Sequence, residues 1–282
     1  MEYVQSDLPL DDFGANLERQ LEALDGRVRN CFRNAFRHLR MAWKLYGIDK
    51  EMCAFRAITA EEEAASALIW ALKMRQYPGA DQLRPRDHAH KMAVFCCLQA
   101  VNNFFAQANL PPIKVSVSKD GHPKVSIQID ISAENPTGEL LFVTPDNPLN
   151  FLVFEEGQPS QVASTFADHL KEIFEGMSFQ RLDSYLKDQA NRRNLLLYAD
   201  DDGIPTAEFK ESFILERFQR VRLIGLVTIT ILQEVDNLLL VTQVLEGFLG
   251  IMPKLTATGF DFIGKLESNP IDFGVEFDFS KN

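Results

Sequence analysis

Three consecutive glutamates, Glu61, Glu62 and Glu63, interrupt the stretch "FRAITAEEEAASALIWALK" at residues 55–73. On a helix turning about 100° per residue, Ile58, Ala65, Ile69 and Leu72 share one narrow apolar face. Glu62 falls in the middle of that face, Glu61 at its edge, and Glu63 points away. A carboxylate withdrawn from water must meet a cation or take up a proton. The segment opening "HAHKMAVFCCLQ" offers cations. On a helix there, Lys91, Phe95, Leu98, Asn102 and Phe105 lie roughly on one face. His88 projects onto the same face, one helical repeat before Phe95, while His90 lies almost opposite. The spacing predicts a bridge from Glu62 to Lys91 or His88 between neighbouring helices. Such a buried polar site serves either as a structural ion pair or as a functional centre inside a bundle. A metal site is not expected, because no Glu-x-x-His pair is present and Lys91 would repel a cation.

A second constellation is basic. Arg29, Arg33, Arg37, Arg40 and Lys44 recur every three or four residues. They fall within about 80° of one another, opposite an apolar stripe of Val28, Cys31, Ala35, Leu39, Ala42 and Tyr46. Five like charges on one ridge repel one another unless anions lie nearby. The ridge suits an RNA backbone or an acidic partner, and it equally suits a solvated face or one covered by acidic neighbours such as "EFKESFILE". No aromatic residues are interleaved, so base stacking is not indicated.

These residues need helices to position them. The apolar period predicts one long helix over 15–46, ended by Gly47, a second over 51–76, and a third from near Arg86 to Ala108. "LPP" at 110–112 breaks the pattern. "IKVSVSKDGHPKVSIQIDI" then alternates around Asp120-Gly121, a hairpin signal, and "ELLFVTPDNPLNFLVFEE" suggests a second hairpin. Helix resumes over 158–175, 178–190 and 208–250, although the β-branched run "LIGLVTITIL" leaves a strand open. Phe273, Val275, Phe277 and Phe279 alternate as in a last strand. The predicted class is α+β, mainly α: a helical bundle with a small antiparallel β insertion and a candidate C-terminal strand. The segments are 1–112, 113–156, 157–252 and 253–282, read as one interdependent domain.

The chain has 282 residues, 46% of them hydrophobic and 24% charged, enough for a large core. A net charge of −11 and a pI near 5.0 argue against binding nucleic acid or anionic membrane with the whole surface. Cys31, Cys53, Cys96 and Cys97 form no C-x-x-C pair and sit in apolar helical contexts, as reduced core thiols do. The acidic N-terminus lacks a signal pattern, and the most apolar run is too short to span a bilayer. The expectation is a cytoplasmic protein without membrane contact.

The ordered trio of the Glu61-Glu62 helix, the "HAHK" helix and the stretch "RRNLLLYADDDGIP" at 192–205 resembles the AbiV-like group of HEPN proteins. In that likeness Tyr198, Asp200 and Gly203 form a family-like turn. Read from the residues alone, Gly203 and Pro205 favour a turn, and the run Asp200–Asp202 lacks the alternating spacing of a calcium loop. The family tends to have Gly-Lys after its paired glutamates, where Glu63, Ala64 and Ala65 stand here. The resemblance implies a four-helix core, bacterial anti-phage (abortive infection) defence and a homodimer, with no cofactor. It also implies a metal-independent ribonuclease motif of Arg, four to six residues, then His. The Arg would hold a phosphate and the His would act as acid or base. Arg33 with His38 is the best literal match, yet positions five apart on a helix point about 140° apart. Arg84 with His90 is the second match, across a loop-to-helix junction at Pro85. The leading expectation is therefore binding of RNA or of a protein of the translation or phage machinery. A ribonuclease and a non-enzymatic interaction module presenting a sheet edge are the alternatives.

Overall fold

The computed structural model describes residues 8–107, 113–117, 123–127, 129–130, 142–143, 147, 149–152 and 209–257. It is mainly helical, with six α-helices and four short strands among those residues. The predicted helices over 158–175 and 178–190, the Tyr198–Gly203 turn and the C-terminal strand fall outside them.

Helix α1 spans Asp12–Glu22 and is started by Asp11, whose carboxylate accepts the Gly14 N–H at 2.7 Å. Helix α2 spans Gly26–Leu45. The single long helix expected over 15–46 is thus two. The break comes where Asp25 is extended and Gly26 adopts a left-handed φ of 59°. The apolar period carries through this break, which hides it. The stripe on α2 is also turned from the expected one. Val28, Phe32, Ala35, Phe36, Leu39, Ala42 and Trp43 are buried, while Cys31 and Tyr46 are half-buried.

Helix α3, Lys50–Met74, is buried nearly all round and forms the central rod. Asp49 caps its start through the Met52 N–H at 2.8 Å. Its end is closed by Gln76 at a φ of 54°, with the Tyr77 N–H bonded to the Leu72 carbonyl and the Gln76 N–H to that of Lys73. Helix α4, His88–Gln107, begins after Asp87, whose carboxylate accepts the Ala89 N–H at 2.9 Å and the His90 N–H at 3.3 Å. The "LIGLVTITIL" run is helical, in α5, Ser212–Gln233. Helix α6 follows at Leu239–Ala257, so the helix expected over 208–250 is also two. The interruption lies at "EVDNL", where Glu234 is extended.

The chain divides into two compact units, Met1–Cys96 with Tyr185–Asp236, and Cys97–Ser184 with Asn237–Asn282. In the first, α1, α2, α3 and α5 pack around a core that includes Leu17, Leu21, Phe32, Phe36, Leu39, Ile69, Ile214, Ile224 and Ile231. A Cβ on Gly225 would lie 2.9 Å from Leu21 Cδ1, so α1 rests directly on α5. In the second unit, β1 (Ile113–Val117) and β2 (Pro123–Ile127) pair antiparallel with Val115 opposite Val125, as the Asp120-Gly121 signal predicts. Among the described residues, strand β4 (Phe142–Val143) pairs antiparallel with β3 (Ile129–Asp130), while most of the segment expected to return from it after Asn150 lies outside them. Phe151 packs its ring against Phe105 on α4.

Candidate functional site

The three glutamates lie on the central rod, where successive side chains point about 100° apart. Each therefore meets a different neighbour. Glu61 faces α5, Glu62 faces α4, and Glu63 meets the Cys31 thiol of α2.

Glu62 is 1% exposed, with Oε1 2.8 Å from His88 Nδ1 and Oε2 2.9 Å from Lys91 Nζ. Both cations singled out from helical phase thus converge on it. Lys91 is almost wholly buried, whereas His88 keeps 43% of its side chain exposed. With Nδ1 committed to the carboxylate, Nε2 is the ring nitrogen left for solvent or a ligand. The junction is pinned by Ser66 Oγ, which lies 2.9 Å from the Glu62 carbonyl and 3.1 Å from that of Pro85.

Glu61, placed at the edge of the face by the sequence, is equally buried. It pairs with Arg217 and, at 3.3 Å, with Arg220. Arg220 also lies over the Phe95 ring at 3.9 Å and Arg217 over Phe213 at 5.0 Å, so flat cations fill the gap between rods. Burial pushes the Glu61 carboxyl up, but the two guanidiniums outweigh it and hold it below its ordinary value. The two carboxylates thus face three basic side chains, Arg217, Arg220 and Lys91, before His88 is counted. The Cys31 thiol is pushed up to about 11 by burial first and by the Glu63 charge second, so it stays protonated and unreactive.

His90 is not a surface or edge residue. It is buried, and its Nδ1 accepts the Arg84 backbone N–H at 3.3 Å. Burial holds it below its ordinary value, with Asp87 opposing and Arg84 and Lys73 adding, so it is neutral. The chain does fold back at Pro85, but through the Arg84 backbone, and the Arg84 residue itself is exposed. Arg33 and His38 also diverge. Arg33 pairs with Glu22, while His38 Nδ1 lies 3.3 Å from an Arg56 nitrogen on α3. The Arg33 and His38 side chains thus turn to different partners, whereas the Arg84 charge lies close enough to His90 to help lower its pKa.

The basic ridge runs along α2 and is flanked by α1. Arg33 pairs with Glu22, and Arg40 pairs with Glu18 at 2.6 Å. The Arg33 hydrogen bond lowers the Glu22 carboxyl below its ordinary value. Arg37 and Lys44 are exposed, and Arg29 is half-buried with its Nε shielded and unpartnered. Among the described residues, the acidic cover comes from Glu22 and Glu18 of α1.

Several polar residues escaped sequence reasoning: Arg217 and Arg220, Glu18 and Glu22, and Arg56. Their signal is the mirror of the glutamates, three arginines in the apolar "ERFQRVRLIGL". The third, Arg222, is buried between Phe13 and Phe218 and pairs with Asp11 at 3.2 Å. Among the described residues, no group of three or more His, Cys, Asp or Glu is arranged to hold a metal ion, and no helix is long and apolar enough to cross a membrane. Comparison with known protein families, characterised proteins and solved structures finds no match to this chain.

Proposed function

We propose that this protein is an AbiV-like, HEPN-type helical bundle of anti-phage defence that acts by binding RNA, or a protein of the translation or phage machinery, along α2. The observation that carries the reading is the ridge Arg29, Arg33, Arg37, Arg40 and Lys44 on a chain of net charge −11. Concentrating cations on one helix of an acidic protein localises any polyanion to that face. RNA is favoured over an acidic protein because the ridge is rich in arginine, whose planar fork suits phosphate oxygens. Binding of a single-stranded oligonucleotide should weaken steeply with salt and should be largely lost in Arg37→Glu/Lys44→Glu. Salt-independent binding, or binding untouched by that double variant, would contradict the reading. The defence role is tested by phage plating on cells with and without the protein, and the homodimer by light scattering.

A second reading, a metal-independent ribonuclease, is favoured by one contact. His38 and Arg56 stand 3.3 Å apart across α2 and α3, bringing together the two residue types such cleavage needs. It predicts RNA cleavage in the presence of chelator that His38→Ala abolishes. Binding without cleavage would leave the first reading alone.

A further inference from the structure

We infer that α1 is a built-in competitor of the RNA ridge, its glutamates standing where phosphates would otherwise sit; this rests on the proposed RNA-binding role of α2. Helix α1 runs back along α2, so that Glu22 meets Arg33 and Glu18, one turn earlier, meets Arg40. The acids thus engage the second and fourth cations of the ridge and leave Arg37, between them, exposed.

These pairs are built to exchange. Both lie at the surface, with side-chain exposures of 57% and 44% for Arg33 and Glu22, and 43% and 25% for Arg40 and Glu18. Pairs of that kind contribute little net stability, so swapping a carboxylate for a phosphate costs little. The helix that carries the acids does not depend on them. Phe13, Leu17 and Leu21 are buried, Leu21 abuts Gly225 of α5, and Asp11 pairs with buried Arg222. The acids are therefore held over the ridge even when displaced. An intramolecular competitor of this kind acts at high effective concentration and lowers affinity without blocking the site. It also raises selectivity, since a lone anion gains little while a chain of phosphates can displace both acids together.

The test compares three full-length proteins for binding of single-stranded oligouridylate across a salt series. They are the wild type, Glu18→Gln/Glu22→Gln, and a control with the same charge change elsewhere, Glu211→Gln/Glu216→Gln, whose glutamates are exposed. The α1 variant should bind on the order of tenfold more tightly than wild type. Its logarithmic salt slope should steepen, because no displaced carboxylate takes up a cation as the phosphates bind. The control should change affinity far less. If wild type binds and the α1 variant binds no tighter than the control, the competitor is overturned while the RNA ridge stands. If neither wild type nor the α1 variant binds, both fall. A gain confined to the α1 variant supports the inference. Gln keeps the size and helical propensity of Glu, and the matched control corrects for loss of negative charge as such.

Discussion

The protein pairs glutamate with arginine in two very different settings. On α3, Glu61 and Arg217 have side-chain exposures of 1% and 6%; between α1 and α2, Glu22 and Arg33 have 44% and 57%. The chemical groups are the same and the solvent is not. In the interior the ions attract strongly, but they have also lost their hydration, so breaking one partner strands the other. At the surface, water and salt screen the pair and can replace either member. The inner pairs therefore belong to the fold. The outer pairs are free to be traded for a ligand.

The comparison can be broken most easily from inside. Glu61→Ala leaves the α5 cations Arg217 and Arg220 against α3 without their carboxylate and should cost about 3–5 kcal/mol in urea unfolding. A loss under about 1 kcal/mol would mean that water reaches the site. Glu62→Ala should cost less, about 2–3 kcal/mol, because half-exposed His88 can turn outward while Lys91 loses its partner. Equal losses in the two variants would remove the distinction between the α4 and α5 sides of the rod.

Acid sharpens the same contrast. Glu61 is held below its ordinary 4.5, so the unfolded chain takes up that proton first. Its contribution is present above about 4.5 and is lost as pH falls through that value toward the folded one. His90 is held below its ordinary 6.5 by burial, so the unfolded chain again protonates first, and loss begins as pH falls through 6.5. Urea midpoints should decline on acidification in these two stages. A flat midpoint from neutral pH to the carboxylate range would contradict both. The smallest effect is at the surface: Arg33→Ala should leave the urea midpoint nearly unchanged, and change it less still in high salt.

The sequence shows the inner site only in part, and the reason is geometric. Glu62, His88 and Lys91 could be matched because each sits within a helix whose phase is readable on its own. Glu61 could be seen as semi-buried, but its partners lie 156 and 159 residues away on α5, and no local period links them. Helical phase alone points His90 away from the Lys91 face. Helix α4 buries more than one face there, with Met92, Ala93 and Val94 enclosed as well as Phe95. The α1–α2 break was present as Asp25-Gly26, yet the apolar stripe continued across it and concealed a left-handed turn. That concealment also hid the acids of α1, which stood on a supposed single helix with the very arginines they pair with.

The most direct measurement is a pair of double-mutant cycles, Glu61 with Arg217 and Glu22 with Arg33, by urea unfolding in the same buffer. The inner cycle should give a coupling of about 2–3 kcal/mol, and the outer cycle a coupling far smaller than the inner one. An inner coupling below about 0.5 kcal/mol, or an outer coupling equal to the inner one, would contradict the division between a fixed interior and an exchangeable ridge.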